Sequence, residues 1–104
     1  MATYVFASSG GKGVAADEAE RNAQYAKWGQ WFEGLGSAVV DGGAATGTAK
    51  TVGPDGALSD GGSRGLTGYS IVSADSLDSA VELAKGCPVL EIGGAVDVYE
   101  AIAM

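Results

Sequence analysis

The stretch that decides the fold runs from Leu66 to Pro88 and reads LTGYSIVSADSLDSAVELAKGCP. Its first seven residues, Leu66 to Val72, are rich in β-branched and aromatic side chains and predict a strand. The remainder predicts a compact helix, with Asp75 as its N-cap and with Gly86 and Pro88 as stop signals. The apolar stripe of this helix consists of Leu77, Ala80, Val81 and Ala84.

The N-terminal half repeats the order of strand and helix. TYVFA, Thr3 to Ala7, predicts a strand, and a helix is expected from about Ala16 to Leu35. Asp17 and Glu20 can form a capping box at the start of this helix, unless it begins one turn earlier. A second strand, SAVVDGG, follows at Ser37 to Gly43. The apolar stripe of the helix, expected to face the core, consists of Trp28, Trp31, Phe32 and Leu35.

The two halves are joined by AKTVGPDGALSD, two short extended pieces around a Gly-Pro-Asp-Gly turn. Pro54 presets φ and Gly56 permits a left-handed residue, so this segment predicts a small hairpin. AVDVYEAI, Ala95 to Ile102, alternates apolar and polar residues, as a half-buried final strand does. The order is β-α-β, a hairpin insertion, then β-α-β. This order predicts a single α+β domain over residues 1–104 with a ferredoxin-like fold.

The strands carry apolar residues on both of their sides. In a ferredoxin-like fold both helices cover one face of an antiparallel sheet, so the apolar side chains of the other face need a different cover. Stretches such as Tyr4 to Phe6 and Tyr69 to Ile71 contribute to both faces. Packing two such sheets face to face buries the second set, and we therefore expect a homodimer.

Composition restricts the partners of this chain. Thirteen acidic and six basic residues give a net charge of −7, which argues against nucleic acid and anionic membrane surfaces as partners. We find no twin-arginine signal and no apolar run of about 18 residues, so the cytoplasm is the expected location. The single cysteine, Cys87, has no partner for an internal disulfide and is expected to be a packing residue.

ASSGGKG, Ala7 to Gly13, has the setting of a phosphate-binding loop but not its spacing. Phe6 stands where such a loop needs glycine, and Gly13 follows Lys12 where it needs serine or threonine. We interpret the segment as a connection between strand and helix, and we predict no cofactor. The chain has no histidine, and its acidic residues show no metal-ligand spacing, so we predict no metal site either.

VGPDGALSDGGSRGLTGYSIVSADSLDSAVELAKGCP, followed by GGAVDVYEAI, resembles the YCII-related family and its DGPF branch. Asp60 and Gly61 match the Asp-Gly-Pro-Phe motif of that branch, whereas Gly62 and Ser63 replace its Pro and Phe. The resemblance implies a dimeric α+β barrel of the ferredoxin-like type. It also implies acid–base chemistry through a histidine and an aspartate in the wider family, and this chain has no histidine to supply it.

Candidate site residues each have an alternative interpretation. Asp60 is the family-matched acid and lies beside glycines that allow a ligand to approach closely, and its alternative is a turn aspartate that accepts backbone N–H bonds. Asp41 could be a general acid or base, with a turn role as its alternative, and Tyr69 could point into a cleft or fill an interface. Lys12 and Arg64 could bind an anionic group at a cleft mouth, or remain solvated.

Two functions remain open from the sequence. The first is a small-molecule binder or enzyme with a pocket between sheet and helix in each subunit, and with Asp60 or Tyr69 as its polar anchor. The second is a non-catalytic accessory protein that acts in regulation or assembly through its dimeric surface. The residues alone assign no reaction.

Overall fold

The computed structural model describes residues 2–10, 17–60 and 65–102. Described elements follow the order β1 (Ala2–Gly10), α1 (Glu18–Leu35), β2 (Val39–Ala45), β3 (Lys50–Val52), β4 (Leu58–Asp60), β5 (Leu66–Ala74), α2 (Leu77–Ala84) and β6 (Gly94–Glu100). Short 3₁₀ helices span Gly36–Ala38 and Pro88–Ile92. Neither α1 nor α2 has the length and the apolar content that crossing a membrane requires.

Four strands form an antiparallel sheet in the order β2-β5-β1-β6, while β3 and β4 pair only with each other in a two-stranded sheet. In this order each half of the chain contributes one central and one edge strand, as a split β-α-β fold requires. The predicted α+β, ferredoxin-like fold with a hairpin insertion is therefore confirmed. Strands β1 and β5 form the centre, and both extend beyond their predicted ends.

The core lies between the four-stranded sheet and the two helices. Alternate residues of the central strands point into it, among them Tyr4, Phe6 and Val72, which are at most 2% exposed. From α2, Ala80 and Ala84 are also buried, and their small side chains allow this helix to approach the sheet closely. Both helices therefore lie on one face of the sheet, as predicted.

The structure of helix α2 differs from the prediction in two details. Its N-cap is Ser76 and not Asp75, because the Ser76 hydroxyl accepts a hydrogen bond from the Ser79 backbone N–H, 3.1 Å away. Serine and aspartate are equally good N-cap residues. Ser76 has this role because it directly precedes Leu77, the first residue of the helix. The predicted stripe is also only half buried, since Leu77 and Val81 remain 46% and 37% exposed.

Helix α1 begins at the predicted cap, where Asp17 Oδ2 accepts a hydrogen bond from the Glu20 backbone N–H at 3.1 Å. Its predicted core stripe is less buried than expected, because no described residue of the helix is fully buried. Trp31 and Leu35 are the stripe residues that pack against the core, and they do so while partly exposed. Helix α1 therefore packs on the sheet while none of its described side chains is fully buried.

Candidate functional site

The face of the four-stranded sheet that points away from both helices, called here the open face, carries a mixed group of side chains. Successive strand residues alternate between faces, and Tyr4, Phe6, Ser70 and Val72 occupy the helix side. Their neighbours therefore lie on the open face in two rows across the strands. One row consists of Asp41, Ile71, Val5 and Tyr99, and the next of Ala44, Tyr69, Ala7 and Asp97.

The centre of the open face is apolar and its flanks are polar. Val5, Ala7 and Ile71 lie on the two central strands, and the phenols of Tyr69 and Tyr99, 38% and 48% exposed, lie beside them. Two carboxylates complete the group. Asp41 lies on β2 at one edge of the sheet, and Asp97 lies on β6 at the other. Phenols can donate or accept a hydrogen bond and ionised carboxylates accept them, so the face offers an apolar floor with polar groups at its margins.

Two of the predicted site residues are brought together on this face. Asp41 is paired with Ile71, two residues along β5 from Tyr69, which makes them diagonal neighbours in the sheet. The register shifts between Asp41 and Ala44, so the spacing of a regular ladder does not apply to this pair. Asp41 also has a local role, because its Oδ1 accepts a hydrogen bond from the Gly43 backbone N–H at 2.8 Å. This contact is the one that the turn interpretation of Asp41 predicts.

Asp60 lies in a different setting from Tyr69. It ends β4 in the two-stranded sheet, where its Oδ1 is 2.8 Å from Lys50 Nζ on the paired strand. Its side chain is 97% exposed. Asp60 and Tyr69 therefore belong to separate sheets. Lys12 and Arg64 lie outside the described residues, as do Gly61 to Ser63 of the motif.

Sequence reasoning missed Asp97 and Tyr99. The alternation of AVDVYEAI already places these two on one side of β6 and Val96 and Val98 on the other. That alternation does not say which side meets the helices. The pairing of β6 with β1 settles the question, since it sets Asp97 opposite Ala7 and Tyr99 opposite Val5.

On the helix side of the described chain, one open cleft of about 330 Å³ lies between α2 and β6 and has Leu77, Val81 and Asp97 among its lining residues. A second open cleft of about 290 Å³ lies between the end of α1 and the start of α2, and Leu35, Ser37, Ser73 and Leu83 are among its lining residues. None of the site residues predicted from the sequence lines this second cleft. Two other tyrosines lie away from the open face, since Tyr4 is 2% exposed in the core and Tyr25 is 57% exposed on α1.

Cys87 is buried at 2% exposure, as a packing residue is. Burial raises the pKa of its thiol, and hydrogen bonds from the Val89 backbone and the Ser8 side chain oppose this rise without cancelling it. The thiol is therefore a poor nucleophile at neutral pH. Within residues 2–10, 17–60 and 65–102, no three acidic or cysteine side chains are grouped closely enough to hold a metal ion.

Comparison with known proteins yields a structural likeness and no sequence match. No family model matches the chain, and no curated protein matches it. Among solved structures, it is similar to 5-chloro-2-hydroxyhydroquinone dehydrochlorinase from Burkholderia phenoliruptrix AC1100, in complex with 2,5-dihydroxybenzoquinone. The TM-score is 0.58 at 20% sequence identity, covering 98% of this chain and 94% of that one. At this identity the likeness shows a shared α+β fold.

Proposed function

We propose that the protein is a homodimer that binds a small, neutral, hydroxylated aromatic ring on its open face, between the two subunits. The observation that carries the proposal is the grouping of Tyr69, Tyr99 and Asp97 around an apolar floor. Both helices of the described chain lie on the other side of the sheet, so a second subunit is the natural cover for this floor.

The chemistry of the face favours this class of ligand. Ligand sites are mostly apolar with a few placed polar groups, and here Val5, Ala7 and Ile71 supply the apolar part. The hydroxyls of a neutral ring can donate hydrogen bonds to the carboxylates of Asp97 and Asp41. An anionic ligand would be repelled by these carboxylates and by the net charge of −7.

The structural neighbour supports a small oxygenated ring as the ligand, although not the neutral charge that we propose for it. Its name gives a chlorinated hydroxyhydroquinone as the compound on which it acts, and its structure contains 2,5-dihydroxybenzoquinone. Both are small planar rings that carry oxygen atoms on the rim. The proposal concerns binding and includes no reaction, because the chain lacks the histidine that would transfer protons near neutral pH.

The experiment is a calorimetric titration with hydroquinone under anaerobic conditions, with the mass in solution measured by light scattering. We expect a dimer at micromolar concentration and saturable binding. Tyr69→Phe and Tyr99→Phe should each lower the affinity about 5–10-fold, the value of one lost hydrogen bond. Tyr25→Phe on α1 is the matched control and should bind as the unmodified protein does. A monomer mass, or equal affinity in all three variants, would contradict the proposal.

The accessory-protein function predicts a different result from the same measurements. In that case the open face serves dimer formation alone, the protein has the mass of a dimer, and hydroquinone does not bind. The titration also separates ligand classes, because 2,5-dihydroxybenzoquinone ionises readily in water. We expect it to bind more weakly than hydroquinone, owing to the carboxylates on the face.

A further inference from the structure

The hairpin formed by β3 and β4, residues 50–60 and called here the arm, has no described side chain packed into the core. All six residues of its strands are exposed. Its turn is well formed, since the Gly56 N–H donates a hydrogen bond to the Gly53 carbonyl at 2.9 Å and Gly56 has a φ of 85°. The arm is thus a regular hairpin, and no other described part of the chain covers its strands.

An apolar pair occupies the arm beside this turn. Val52 and Leu58 lie directly opposite each other in the ladder and are 65% and 71% exposed. A two-stranded hairpin is marginally stable in water on its own, and an exposed apolar pair adds to that cost. Contact with another surface would remove both penalties.

The arm is continuous with the strands of the open face. Strand β2 leads into it and β5 follows it, and these strands carry Asp41 and Tyr69. Thr46 extends their pairing toward the arm, because its backbone N–H and its hydroxyl donate hydrogen bonds to the carbonyls of Thr67 and Leu66 at 3.0 and 2.7 Å. A subunit seated on the open face would therefore lie next to the base of the arm.

The flat footprint of the open face is small beside a standard dimer interface, although its side chains expose more area than the footprint itself. Four strands of about seven residues make a face roughly 19 Å wide and 23 Å long, or about 440 Å². A standard interface buries about 800 Å² on each partner. The radius of gyration, 14.8 Å, exceeds the value of about 13 Å for a compact domain of this size, which fits a projecting arm.

We propose that the arm packs against a second copy of this chain, with Val52 and Leu58 as its apolar contact. This inference rests on the homodimer of the proposed function and adds a second contact surface to it. The Lys50–Asp60 ion pair at the base of the arm, with a 2.8 Å separation, lies two residues from the apolar pair and on the same side of the ladder.

The test is sedimentation equilibrium on the Val52→Ser/Leu58→Ser double variant, with circular dichroism to confirm that the fold persists. We expect the dimer dissociation constant to rise at least about 10-fold, because two buried apolar side chains are lost from the contact. The matched control, Leu77→Ser on α2, replaces an equally apolar residue on the helix side and should leave the constant unchanged.

Hydrogen exchange on the unmodified protein provides a second measurement that requires no variant. Amides of the arm should exchange more slowly above the dissociation constant than below it. A dissociation constant unaffected by the double variant, together with exchange independent of concentration, would overturn the inference while the ligand site stands. A monomeric unmodified protein would overturn the proposed function as well, so the two failures are distinguishable.

Discussion

The indole N–H of Trp31 donates a hydrogen bond to the backbone carbonyl of Leu83, 3.2 Å away. This bond joins α1 to the last turn of α2. The Trp31 ring also stacks on Phe6 of the core, with ring centroids 6.1 Å apart. Helix α1 has no fully buried side chain among its described residues, and these contacts of Trp31, together with the packing of Leu35, attach it to the core.

Substitutions at Trp31 should separate the hydrogen bond from the packing. Trp31→Phe removes the donor and should lower the free energy of unfolding by about 1 kcal/mol. Trp31→Ala also removes the ring and should cost about 3 kcal/mol, the lower end of the range for buried aromatics because this ring is only partly buried. Urea denaturation measures both. Tyr25→Ala, on the exposed side of α1, should change stability by less than about 0.5 kcal/mol.

Gly29 within α1 and Gly36 at its C-cap should respond to alanine in opposite directions. Gly29 lies within the helix, and a Cβ added there would meet no other atom within 4 Å, so Gly29→Ala should stabilise the protein by about 0.5–1 kcal/mol. Gly36 is the C-cap with a φ of 57°, a conformation that costs alanine about 1 kcal/mol or more. Thermal melts would show the difference in sign. Equal shifts for the two variants would contradict the described end of α1.

Alanine substitutions at the neighbouring glycines Gly42 and Gly43 test the pairing of β2 with β5. Gly43 has a φ of 73°, and a Cβ there would overlap the Tyr69 carbonyl oxygen and lie 2.7 Å from the carbonyl carbon. Gly43→Ala should therefore cost more than about 2 kcal/mol. A Cβ at its neighbour Gly42 would have nothing within 4 Å, so Gly42→Ala should be well tolerated. Denaturant unfolding of both variants provides the measurement, and similar losses would count against this register.

The helices, strands and turns were predicted well because they depend on local sequence signals. Features that depend on pairing between strands distant in the chain were predicted less well. The Asp17 cap and the Gly56 turn follow from short-range chemistry and were both confirmed. The burial of Trp31 was overestimated, because helical periodicity shows which side faces the core but not how closely the helix approaches it. Asp97 was missed for a related reason, since its place beside Ala7 depends on pairing between strands from opposite ends of the chain.

The raised pKa of the Cys87 thiol has two consequences that depend on pH. Burial favours the neutral thiol in the folded state, so alkylation by iodoacetamide should be slower than for a free cysteine and should accelerate only at more alkaline pH. The stability contributed by this group is fully present below the ordinary thiol pKa and is lost as the pH rises through the raised value. Cys87→Ala should remove this alkaline dependence, which denaturant melts at several pH values would show.

Asp60 and Asp97 are aspartates in two different environments. Substituting each of them by asparagine tests which one binds the ligand. Asp60 is 97% exposed and paired with Lys50, and exposed ion pairs contribute little, so Asp60→Asn should leave the fold, the dimer and the affinity for hydroquinone unchanged. Asp97 lies opposite Ala7 on the open face. Asp97→Asn should lower the affinity about 5–10-fold, because a neutral amide accepts a weaker hydrogen bond than a charged carboxylate does. Parallel calorimetric titrations, with the dimer mass as control, would decide between them. Loss of binding in Asp60→Asn alone would instead place the ligand at the base of the arm and make Asp60 its anchor.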